Sequence, residues 1–177
     1  MALVDMAHRQ SDDPKHSPSA RRPEAVGVSE KIDRFLATQR PHSPCVIIDL
    51  DVVCARYAAL RDCFPDANIF YAVKANPAAE VLATLASADA RFDLASEGEI
   101  NRCRALGIAA DRLSFGNTIK RETEIVHAHR RGIDRFAFDS IGEVEKIARS
   151  APGAQVFCRM LIDAKGADWP LTRAAQG

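Results

Sequence analysis

The chain has 177 residues, 47% of them hydrophobic and 27% charged, which is ordinary for a folded domain with a sizeable core. Its 24 basic and 24 acidic side chains cancel, so no clustered basic excess points to nucleic acid. No apolar run approaches the ~20 residues that span a bilayer, and the first residues hold Asp5, Asp12 and Asp13 with no apolar core of a secretory signal, so a cytoplasmic protein is expected.

Residues 1–28 are rich in Ser, Pro, Asp, Arg and His without periodicity and read as a disordered tail. Order is expected from Ser29, a candidate N-cap, through a helix in which Ile32, Phe35 and Leu36 form an apolar stripe. Pro41 and Pro44 end it. The β-branched run Cys45 to Leu50 reads as a strand, with Asp49 and Asp51 capping a helix that follows. In that helix Val53, Tyr57, Leu60 and Phe64 recur at three to four residues.

From Ile69 a beat sets in. Strands are expected at Ile69–Lys74, Phe92–Ser96, Leu113–Gly116, Arg135–Ser140 and Val156–Asp163. Between them lie helices, one opened by Pro77 and two closed by Gly107 and Gly132. Strands alternating with helices imply right-handed βαβ units and a parallel sheet. No G-x-G-x-x-G loop follows the first strand, so an α/β fold of the (β/α)8 TIM-barrel type is favoured over a dinucleotide-binding fold. A barrel needs eight strands, and residues 29–177 supply about five of them.

Five cysteines, Cys45, Cys54, Cys63, Cys103 and Cys158, show no C-x-x-C spacing and read as reduced core residues. His127 and His129 are two apart on a helix and face different sides, so no metal site is expected. Trp169 and Pro170 read as packing residues. Lys74 is the candidate for chemistry. It ends a strand just before Asn76-Pro77, on the face where barrel enzymes build their sites. Partial desolvation there would favour the neutral amine that carbonyl chemistry needs.

The segment FYAVKANP, Phe70 to Pro77, resembles the cofactor-lysine segment of the fold-type III pyridoxal-phosphate enzymes, and within them the ornithine, diaminopimelate and arginine decarboxylases. FDLASEGEI (Phe92 to Ile100), GNTIK (Gly116 to Lys120) and FAFDSIGEVEKI (Phe136 to Ile147) resemble later segments of the family in register. VFCRMLID with GADWPL is similar to the bacterial ornithine/lysine decarboxylase branch. The resemblance implies pyridoxal 5'-phosphate held by Lys74 as a Schiff base. It implies that Asp93 and Glu99 are acidic groups tuning that lysine, and that Arg159 lies beside the cofactor. Asn117 and Ser140, at strand ends, are site-lining or capping residues.

The same resemblance implies decarboxylation of a basic amino acid, ornithine first and lysine second, in homodimers of full-length relatives. Where the family has Gly after the first of these helices, this chain has Asp89, which tolerates the left-handed conformation better than most residues. After Arg159 there is no His, no Gly-Gly loop and no Glu-Pro-Gly-Arg stretch, and the family's β-barrel domain is not found. The expectation is therefore a chain inactive alone. The alternatives are a non-catalytic, cofactor-carrying or regulatory partner, and a racemase-like or cofactor-homeostasis barrel protein.

Overall fold

In a computed structural model the described residues are 3–5 and 30–160. A short strand, β1 (Leu3–Asp5), comes first, followed by two helices, α1 (Glu30–Gln39) and α2 (Leu50–Cys63). Five strands then alternate with four helices: β2 (Asn68–Ala72), α3 (Ala79–Ser87), β3 (Arg91–Leu94), α4 (Glu97–Ala105), β4 (Leu113–Phe115), α5 (Glu122–Arg130), β5 (Arg135–Phe138), α6 (Ile141–Ser150) and β6 (Gln155–Cys158). β2 to β6 lie side by side in chain order and are all parallel. This is the expected α/β arrangement of successive βαβ units, an open five-stranded portion of a barrel wall.

Two expectations need correction. The run Cys45 to Asp49 is not a strand, and Leu50 already opens α2. Strand preference is realised only against a partner edge, and the free edge of β2 is taken by β1 (Leu3–Asp5), which pairs antiparallel with Leu3 opposite Phe70 and Asp5 opposite Asn68. Val46 is left 88% exposed. Those three residues belong to the segment expected to be a disordered tail; the rest of it, Ser29 included, lies outside the described residues, as do Trp169 and Pro170.

The core lies between the sheet and α3 to α6. Phe92, Leu94, Leu113, Phe115 and Phe136 pack from the strands against Leu82, Leu85, Ile100, Cys103, Ile125 and Ile147 from the helices. Each such side chain contributes ~1.5–3 kcal/mol on burial. Period-2 alternation turns the remaining strand residues the other way. Near the carboxyl ends these are small or polar, register pairing Ala72 with Asp93 and Asp93 with Ser114, while Phe70, two residues before Ala72, is a buried aromatic on that face.

Local chemistry closes the units as expected. Gly107 and Gly132 have φ of 75° and 82°, the left-handed C-terminal stop. Asp89 takes φ 66° in the same role after α3. The Asp49 carboxylate accepts from the Asp51 N–H at 3.0 Å, capping α2. The cysteines differ from expectation. Only Cys103 is buried, and burial pushes its thiol up to about 12. Cys45, Cys54, Cys63 and Cys158 are free and exposed, because they sit on an unpaired segment, on α2, which buries no residue fully, and on the edge strand β6.

Candidate active site

Lys74 stands at the carboxyl end of β2, but not within the strand. β2 stops at Ala72, and Val73–Ala75 form a single 3-10 turn. The Asn76 side chain accepts from the Ala78 N–H at 3.0 Å, and the Tyr71 hydroxyl donates to the Asn76 carbonyl at 3.2 Å, which pins the turn. Val73 anchors it in the core with no exposed surface. Lys74 itself is exposed, on the turn that follows the strand, so the expected partial desolvation is not present.

Asp93 lies on the adjacent strand, one position from the carboxyl end of β3, with Ala72 as its register partner. The Ser114 hydroxyl donates to its Oδ1 at 2.8 Å. Burial raises the Asp93 carboxyl above the ordinary carboxylate value, opposed by the Ser114 hydrogen bond, by the charges of Arg159 and Lys74, and by the Gly116 N–H. Asp93 thus feels both cations that the family resemblance implies. Arg159 follows β6; its backbone N–H donates to the Phe138 carbonyl at 2.8 Å and its Nη2 to the Gly116 carbonyl at 3.1 Å.

Gly116 completes this cluster. A Cβ there would fall 2.0 Å from Asp93 Oδ1, so the carboxylate occupies the space a side chain would need. The strand-end arrangement brings Lys74, Asp93 and Arg159 to one edge of the sheet. It gives the other three expected residues different partners. Glu99 Oε2 accepts from the Ala95 N–H at 2.7 Å while Ser96 Oγ accepts from the Glu99 N–H at 3.3 Å, a reciprocal cap on α4. Ser140 caps α6, accepting from the Glu143 N–H at 3.4 Å. Asn117 is exposed, with its Nδ2 3.5 Å from the Ala95 carbonyl.

Sequence reading passed over Ser114, Lys120 and Glu143. Ser114 was legible: alternation in Leu113-Ser114-Phe115 turns one polar residue away from the core. Lys120 and Glu143 gave no such signal, being charged residues at the starts of stretches read simply as helices. The side chain of Lys120 is 0% exposed and pairs with Glu143 at 2.9 Å. Among the described residues no group of acidic, His or Cys side chains could hold a metal ion.

An open parallel sheet of βαβ units that gathers an amine, a carboxylate and an arginine at the carboxyl ends of its strands defines the class: part of a (β/α)8-type barrel. Residues 50–176 match the family described as pyridoxal-dependent decarboxylase, pyridoxal binding domain, and the chain belongs to that family. It is 36% identical over 135 residues to the lysine/ornithine decarboxylase of Selenomonas ruminantium, covering 76% of this chain and 34% of that protein. It is 32% identical to antizyme inhibitor 2 of Xenopus laevis over 139 residues, covering 78% and 30%. The crystal structure of lysine decarboxylase from Selenomonas ruminantium superposes with a TM-score of 0.71 at 35% identity, over 78% of this chain and 36% of that one. The chain spans about a third of the length of these relatives.

The residues present fit the family's cofactor. Pyridoxal phosphate needs an accessible amine to hold its aldehyde carbon, and Lys74 is exposed on a turn fixed from beneath by Val73. The exposed Arg159 adds a cation beside Asp93.

Proposed function

We propose that the chain carries the lysine-bearing part of a pyridoxal-phosphate-dependent decarboxylase of basic amino acids, with Lys74 as the cofactor-holding residue. The observation that supports this best is the Lys74–Asp93–Arg159 charge arrangement at the carboxyl ends of the strands. When bound, the cofactor supplies the electron sink for loss of a carboxylate group. The chain's own residues orient and tune. Asp93 balances the ammonium of Lys74, and its Ser114 hydrogen bond and the space left by Gly116 keep it in place. Arg159 holds the loop after β4 through the Gly116 carbonyl.

Ornithine or lysine is the substrate class, supported by the name of the Selenomonas relative. A homodimer and a cytoplasmic location complete the proposal. Among the described residues no helix is long and apolar enough to cross a membrane. A second reading, a regulatory partner of full-length subunits, is supported by the similarity to a protein named for antizyme inhibition. Mixing the chain with a full-length decarboxylase separates them: a changed rate supports the partner.

The cofactor assignment is tested by adding pyridoxal phosphate to the purified chain, trapping with borohydride and mapping the labelled peptide. Labelling confined to Lys74 is expected. Labelling scattered over surface lysines would overturn the assignment.

A further inference from the structure

Lys120 is a buried cation whose bonds the function just proposed does not use. Its ammonium has three donors and three acceptors: the Ala137 carbonyl at 2.6 Å, the Asn117 carbonyl at 2.8 Å and Glu143 Oε1 at 2.9 Å. The ring centroid of Phe115 lies 5.9 Å away. The backbone is gripped as well. The Lys120 N–H donates to Glu143 Oε1 at 3.1 Å, and its carbonyl accepts from Lys146, which also pairs with Glu143 Oε2 at 2.6 Å. Burying such a charge pair is costly, and well-packed apolar side chains in place of both partners are often no worse for stability. Stability alone therefore does not account for it.

Its acceptors show what it ties together. Asn117 follows Gly116 in the loop after β4, Ala137 is near the end of β5, and Glu143 lies in the first turn of α6. The same loop seats Asp93 in the space beside Gly116 and receives Arg159 on the Gly116 carbonyl. We propose that Lys120 is a positioning residue for the site: a fixed internal cation that clamps the 116–120 loop to β5 and α6, so that Gly116 holds Asp93 and Arg159 in register with Lys74. With every donor engaged and no surface, Lys120 is not itself a partner for an aldehyde. This inference rests on the reading of Lys74 as the cofactor-holding residue.

The test uses the full chain and pyridoxal phosphate as the probe. Half-saturation is read from borohydride-trapped Lys74 peptide and from the absorbance of the bound cofactor, with circular dichroism and thermal unfolding alongside. Lys120→Met, folded, is expected to raise half-saturation at least about tenfold and to alter the absorbance, since small misplacements of a reacting geometry cost 10–100-fold. Ile147→Val, which thins the core under the same helix, is expected to lower stability and leave both readouts unchanged. Equal half-saturation and absorbance in Lys120→Met and wild type would overturn the inference, as would labelling of Lys120. If Lys120→Met does not fold, Glu143→Gln decides: it is expected to weaken Lys74 labelling, and unchanged labelling overturns the proposal. If the wild type does not label Lys74, the underlying reading fails, and the clamp loses its purpose with it.

Discussion

The carboxylate of Asp93 stands where a side chain on residue 116 would be: a Cβ on Gly116 would lie 2.0 Å from Oδ1 and 2.4 Å from Oδ2. The absence of one methyl group and the placement of one charge are the same structural fact. The atom that must yield is the end of a side chain, so the backbone can survive a substitution while the carboxylate cannot keep its place. Gly116→Ala is therefore expected to cost no more than the ~1–3 kcal/mol of ordinary overpacking while abolishing most Lys74-directed cofactor binding. Urea unfolding and borohydride trapping on one preparation check both halves. A variant that labels like wild type would show that Asp93 is not needed where it stands.

Lys74 carries no packing, since it is exposed on a turn whose anchor is Val73. Lys74→Ala should leave unfolding within about 0.5 kcal/mol of wild type and remove cofactor labelling entirely. Lys74→Arg should do the same, because the guanidinium stays charged and is no nucleophile. Mass mapping after trapping reads the outcome, and substantial labelling in either variant excludes Lys74 as the attachment point.

Phe92 has no exposed surface and meets Tyr71 edge-on at 6.3 Å between ring centroids. Truncation to Ala should cost ~3–5 kcal/mol, a large fraction of the ~5–15 kcal/mol that holds a domain together. Loss of the cooperative transition, or a midpoint far lower in urea, is the expected result.

The strand-helix beat was legible because each unit writes its own punctuation: a short strand run such as Phe92 to Ser96, then a helical stretch, then a closing glycine such as Gly107. Asp89 adds what the resemblance implies: it stands where the family has Gly, and it takes the left-handed φ of 66° expected there. The Cys45–Asp49 run shows where it ends. Its β-branched residues describe a strand, but pairing depends on which segment holds the edge of β2, and that is Leu3–Asp5. The site divides in the same way. Lys74, Asp93 and Arg159 were readable from position and resemblance. The Lys120–Glu143 pair was not, because a charge on a helix face looks the same in sequence whether it meets water or a buried ammonium.

At Asp89 the remaining strain should be recoverable. Its side chain is 89% exposed and only 3.9 Å contact with Arg112 would be lost, a surface pair worth little. Left-handed backbone costs an ordinary L residue ~1–2 kcal/mol and glycine essentially nothing. Asp89→Gly is expected to raise stability by up to about 1 kcal/mol and Asp89→Val to lower it. Thermal unfolding of the pair gives the signs, and a stabilising valine would contradict the left-handed stop.

Two carboxyls, the half-buried Asp93 and the buried Glu143, should pull stability in opposite directions as pH changes. Burial raises Asp93, so its ionisation is less favourable folded than unfolded, and it takes stability away as pH climbs through the carboxylate range. Burial also pushes Glu143 upward, but hydrogen bonds from Lys146 and Lys120 outweigh it and hold the carboxyl below its ordinary value. That contribution is present above the ordinary glutamate value, ~4.3, and is lost as pH falls through the folded one. Asp93→Asn should therefore gain on wild type with rising pH and match it in acid. Glu143→Gln should lose most near neutrality, on the order of the ~3–5 kcal/mol of a broken buried pair, and converge on wild type as Glu143 becomes protonated. Urea unfolding of both variants between about pH 3 and 7 gives the two slopes. Slopes of the same sign would mean that one of these carboxyls does not sit among the charges described for it.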